Sequence, residues 1–167
     1  MQDIINEYIG GLKLGRKQSY KNLTVFALLS DYSADSDYLT LDEALSGNLI
    51  DVVEKDEAGT VPELKVVNKS NRMVLILDGE ELVGAKQNRI LNTSILIPAE
   101  SEMIIPVTCT ESGRWNYVSP DFKDSGNISS KDVRQAADTS VNFSLSQDYG
   151  FRSDQSMVWD KIEELHH

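Results

Sequence analysis

A chain of 167 residues with 40% hydrophobic and 26% charged side chains has an ordinary globular composition and is long enough for one well-formed core. Its formal net charge of −11 repels phosphate backbones and argues against general nucleic-acid binding, while a small anion could still be held by a local basic cluster. No apolar run approaches the roughly 20 residues that span a bilayer, and the first residues lack the basic, apolar pattern of a secretory leader. A soluble cytoplasmic protein is expected, folded as a single domain over residues 1–167.

The histidine and cysteine inventory narrows the chemistry. The two histidines are His166 and His167, and the one cysteine is Cys109. No disulfide can form within the chain, and Ser-His-Asp, Cys-His and histidine-rich metal mechanisms lack their base or ligands. Chemistry is left to carboxylates, lysine, tyrosine, the thiol or an oxygen-held divalent ion.

In chain order, Asp3, Ile4, Ile5, Tyr8 and Ile9 have helical spacing that stops at Gly10-Gly11. The following LKLGRKQSYK reads as a loop, and Leu23–Leu29 as the first core strand. Thr40-x-x-Glu43 is a capping-box signature for a short helix ending at Gly47. Strands are expected at 49–54, 64–68, 73–77, 81–85, 88–97 and 102–110, with Pro106 marking an edge or a bulge. Pro120–Ser130 reads as a polar loop.

Val133, Ala136, Ala137, Val141 and Leu145 then form a helical stripe started by Ser129 or Ser130, and Val158, Ile162 and Leu165 repeat it beside Trp159. The order is strand-rich over 20–118 and helical over 129–166. It predicts an α+β fold: an antiparallel β-sandwich or roll-like core, a short N-terminal helix and C-terminal helices packed on it. The absence of an exit signal after Leu165 suggests a domain truncated at its C-terminus.

The densest polar pattern is the run from Glu80 to Trp115. It gathers Glu80, Glu81, Lys86, Gln87, Asn88, Arg89, Cys109, Glu111, Arg114 and Trp115 around apolar strands, where polar groups are costly unless something binds them. Alternation places Cys109 and Glu111 on one strand face with Ile105 and Val107. Lys86, Arg89 and Arg114 suit a phosphate, Trp115 suits a flat ring, and Gln87 and Asn88 suit ribose or base edges. Glu80, Glu111 and Cys109 are the catalytic candidates, the acids as general base or acid.

Bland readings stand beside these. The charged residues can be cross-strand ion pairs, Cys109 a small core residue, and Trp115 a plug capped by Arg114. Asp31, Asp35 and Asp37 lack the spacing of a calcium loop, and no phosphate-loop, dinucleotide or nucleophile-elbow signature is present.

Two blocks resemble a known family. Gly79, Glu80, Gly84, Lys86, Gln87, Asn88 and Arg89 match its G-E-x-x-x-G-x-K-Q-N-R pattern. Pro106, Val107, Cys109, Glu111, Gly113, Arg114 and Trp115 match its P-V-x-C-x-E-x-G-R-W pattern. Asn22–Leu29 and Gln155-x-x-Val158-Trp159 extend the likeness, with departures at Ala27 (proline expected) and Ala85 (glycine common).

The chain thus resembles the ADP-ribosylglycohydrolase and rhodanese/phosphatase-superfamily-associated protein family, first type. The resemblance implies a link to NAD-derived metabolism through a partner enzyme of the ADP-ribosylglycohydrolase or phosphatase type. Two functions follow as expectations: binding or processing of an ADP-ribose-like nucleotide, or a non-catalytic interaction module for such an enzyme.

Overall fold

The computed structural model describes residues 2–31, 37–56, 62–111, 113 and 118–165. They fall into two compact units, Met1–Ser36 and Asp37–His167. The first holds helix α1 (Gln2–Gly10) and an antiparallel hairpin of β1 (Lys13–Tyr20) and β2 (Leu23–Leu29). Tyr20 pairs with Leu23, so Lys21-Asn22 is a two-residue turn, with Lys21 at φ +51°. The loop expected over LKLGRKQSYK is therefore a strand: pairing with apolar β2 imposes extended backbone on a segment poor in strand formers. β2 was expected in the core, yet all 7 of its residues are exposed.

The second unit begins with β3 (Tyr38–Thr40) and helix α2 (Leu41–Ser46). The predicted capping box forms: Thr40 Oγ1 accepts from Glu43 N, and the Glu43 carboxylate accepts from Thr40 N at 2.9 Å. Gly47 closes the helix at φ −81°, and Asn48 takes the left-handed turn at φ +54°. Next come β4 (Ile50–Glu54), β5 (Glu63–Asn68), β6 (Met73–Ile76), β7 (Glu80–Gly84), β8 (Arg89–Leu91), β9 (Ile95–Ile97), β10 (Ser101–Cys109) and β11 (Phe122–Ile128). Helices α3 (Lys131–Ser146) and α4 (Gln155–Leu165) follow, with Ser130 as the α3 cap.

The expected single strand over 88–97 is split. Asn92 is buried, donates to Phe151 O and accepts from Thr108 Oγ1 at 2.6 Å. These bonds hold the chain out of strand geometry, so β8 and β9 enter different sheets. The polar loop expected over 120–130 contains β11, which pairs with β7 and buries Phe122.

Six strands form a curled antiparallel sheet in the order β11-β7-β8-β10-β5-β4, and β3-β6-β9 form a second sheet with β3 and β6 parallel. The fold is α+β, with its short N-terminal helix and C-terminal helices as expected. One apolar core joins α2 and both sheets, including Leu41, Val52, Val74, Leu91, Val107 and Phe122. Each such fully buried side chain contributes about 1.5–3 kcal/mol relative to exposure.

A smaller cluster on the other face packs Ile90 against Val133, Ala137 and Val158 of α3 and α4. Pro106 lies inside the sheet rather than at an edge. Pairing of β10 with β5 ends at Pro106 and pairing with β8 starts at Val107, so the missing N–H falls where the strand changes partner.

Candidate functional site

Sheet order puts the ends of β7, β10 and β4 and the starts of β8, β5 and β11 at one end of the six-stranded sheet. The turn Ala85–Asn88 sits there. β7 finishes at Gly84 (φ +137°), where an added Cβ would lie 2.6 Å from Asp121 O, and Ala85 follows at φ +40°. Only glycine fits the first position without strain. Alanine pays for the second, the place where the family pattern has glycine.

Because the chain reverses here, strand parity does not carry from 80 to 94. Leu82 pairs with Arg89, and Arg89 with Cys109, so these three share the inner face. Glu81, Ile90 and Thr108 share the helix-facing side.

Arg89 is wholly buried. Its Nη1 donates to Gln87 Oε1 at 2.9 Å and to Cys109 Sγ, and the thiol donates to the same Gln87 oxygen at 2.8 Å. Gln87 Nε2 donates to Glu111 O at 3.1 Å, and the Glu111 carboxylate accepts from Asn88 N at 2.9 Å. Trp159 Nε1 donates to Cys109 O at 3.0 Å, tying α4 to the same strand end. Burial pushes the Cys109 thiol up from 9.0 to about 11, against the pull of the Arg89 guanidinium. At neutral pH the sulfur is therefore a buried thiol, not a thiolate.

Lys86, Gln87, Asn88, Arg89, Cys109 and Glu111 are thus gathered at one end of the sheet. Glu80 is not among them. It opens β7 at the opposite end, four residues and about 13 Å of strand from Gly84. Its carboxylate accepts from Leu77 N at 2.8 Å, and burial raises its pKa against that hydrogen bond.

Glu111 also lines a cleft of about 360 Å³ on the helix side, shared with Glu81, Thr110 and Val133 but not with Glu80. Arg114 and Trp115 lie outside the described residues. At this same end Val118 N–H donates to Ala85 O at 2.9 Å.

Glu54 completes the cluster, and the sequence reading passed over it. It ends β4, 9% exposed, with Oε1 3.9 Å from Arg89 Nη2. The pair spans the interior, since β10 and β5 lie between their strands in the sheet. The signal was present: Ile50 and Val52 are buried on alternate positions, and Glu54 continues that inward phase. Among the described residues no three acidic, cysteine or histidine side chains are placed to hold a metal ion. No described helix is long and apolar enough to cross a membrane.

No curated protein and no solved structure matches the chain. Residues 11–167 match the model of the ARPP-1 domain, whose name ties it to ARG and to the rhodanese-phosphatase superfamily. The chain belongs to this family, the ARG and Rhodanese-Phosphatase-superfamily-associated Protein domain.

Proposed function

We propose that this end of the sheet binds a small nucleotide-like metabolite of the ADP-ribose class. The observation that carries the reading is the gathering of Lys86, Gln87, Asn88, Arg89 and Glu111 from two separate sequence blocks at one strand end. Lys86 supplies the charge for phosphate and Asn88 an amide, while Arg89 and Gln87, buried and bonded to each other, hold the turn that carries them.

The chemistry supported is binding. The thiol is protonated and already bonded, and the Glu111 carboxylate is engaged with Asn88 N. Of the two acids, Glu111 lies at this end of the sheet and Glu80 at the far end, so Glu111 is the one we assign to the ligand.

A thermal-shift titration tests this. ADP-ribose at ~100 times its dissociation constant should stabilise the fold by about 2.7 kcal/mol, a shift of several degrees. Lys86→Met should remove most of the shift, with its ligand-free midpoint measured alongside to separate lost binding from lost stability. No shift with ADP-ribose, NAD or sugar phosphates would reject the reading.

A second reading, a docking module for a partner enzyme, is favoured by residues 2–31. Ile4, Ile9, Leu14, Leu23, Phe26 and Leu28 are each more than half exposed there, more apolar surface than a self-sufficient element usually presents. Phe26→Asp should then abolish co-elution with an ADP-ribosylglycohydrolase-type enzyme, and unchanged co-elution would discard the idea.

A further inference from the structure

We infer that the open edge of β2 pairs antiparallel with β2 of a second copy of this chain, giving a symmetric four-stranded sheet shared by two protomers. The inference is independent of the ligand reading, and it gives the surface of residues 2–31 a different occupant from the enzyme of the second reading. β1 and β2 form a two-stranded sheet with no third strand among the described residues, and a lone hairpin is marginal in water. Leu23, Val25 and Leu29 lie on one face of β2 and Phe26 and Leu28 on the other, each about half exposed or more. A strand that is apolar on both faces has the pattern of an interior strand, not of an edge.

The two edges of the hairpin differ. β1 carries Lys13, Arg16 and Lys17 and shifts register between Leu14 and Lys17, and charge and a bulge both protect an edge from pairing. β2 has no charge, proline or glycine, and its register is regular on its own side. Charge selects a copy of the chain as the occupant. Residues 1–36 balance four basic against four acidic side chains, whereas residues 37–167 carry the formal charge of −11. Net repulsion between two copies is therefore least through this unit. It also carries both signs, with Lys13, Arg16 and Lys17 on β1 against Asp3 and Glu7 on α1, as a self-complementary contact needs. Pairing β2 with β2 consumes both open edges and leaves only the protected β1 edges outside, so assembly ends at two copies.

The test is the mass of the full chain by sedimentation over a dilution series, with no other protein present, and amide hydrogen exchange at each concentration. The expected mass is twice that of one chain, falling to that of one chain on dilution. The β2 amides that do not donate to β1 should be protected in the dimer and exchange freely in the monomer. Val25→Lys puts a cation of each copy at the joined edge and should be monomeric where the unsubstituted chain is dimeric. A single-chain mass throughout would overturn the inference, as would a dimer whose outward β2 amides stay unprotected, or a Val25→Lys chain that still pairs. Should Val25→Lys fail to fold, exchange on the unsubstituted chain decides. A single-chain mass together with co-elution of the enzyme would overturn this inference and leave the surface to the second reading.

Discussion

Arg89 is the residue on which the inner face of the sheet end depends. It is fully buried, holds Gln87 and Cys109 by hydrogen bonds and balances Glu54. Arg89→Met leaves that carboxylate without its counter-charge and should cost about 3–5 kcal/mol in urea denaturation, whereas Arg89→Met with Glu54→Leu should recover most of the loss. A single-variant loss below about 1 kcal/mol would mean the pair is not buried as described.

Cys109 gives a second residue-scale prediction. Its proton is held more tightly in the folded chain, so its contribution is complete below the ordinary pKa of 9.0 and disappears as pH rises through about 11. The stability difference between the native chain and Cys109→Ala should shrink across that window. At pH 8 the folded thiol should resist a labelling reagent that modifies it readily in urea. The sequence pointed to Lys86–Arg89 and Glu111 through their chemical variety and through the two family patterns they match. It grouped Glu80 with them because a motif on one strand runs the full length of the sheet, and it missed Glu54 because a lone acid after a valine strand resembles a surface charge.

At the scale of elements, local signals worked where side chains carry the structural decision. The Thr40–Glu43 box forms as its spacing predicts, and Thr40→Ala should cost about 1 kcal/mol by thermal or chemical denaturation. Gly84 has a stricter demand. Its φ of +137° and the 2.6 Å approach of Asp121 O leave no place for a Cβ, so Gly84→Ala should destabilise by more than about 1 kcal/mol and disturb the turn that carries Lys86–Asn88.

The elements that escaped the sequence reading, β1 and β11, have in common that their partners impose them. KLGRKQSY and FKDSGNI have little strand propensity, and each is extended because it pairs with a neighbouring strand, β2 or β7. The split of β8 from β9 was equally hidden, since it depends on Asn92 meeting Thr108 and Phe151.

At the scale of the whole molecule, charge and burial divide unevenly between the two units. Residues 1–36 contain four basic and four acidic side chains, so the formal charge of −11 belongs to residues 37–167. Among the described residues, the buried apolar ones all lie between Leu39 and Val158. A chain of residues 37–167 should therefore fold alone and unfold cooperatively, whereas the isolated hairpin of residues 2–31 should not, as two strands rarely suffice. A loss of cooperativity in the shorter chain would contradict that division.

The central claim is that residues from two sequence blocks build one ligand site at a single end of the sheet. It is tested most directly by following backbone amide resonances while ADP-ribose is added. The account predicts shifts at Lys86–Arg89 and Cys109–Glu111, with Leu77–Glu80 unmoved. Shifts confined to other residues, or none at saturating ligand, would contradict it.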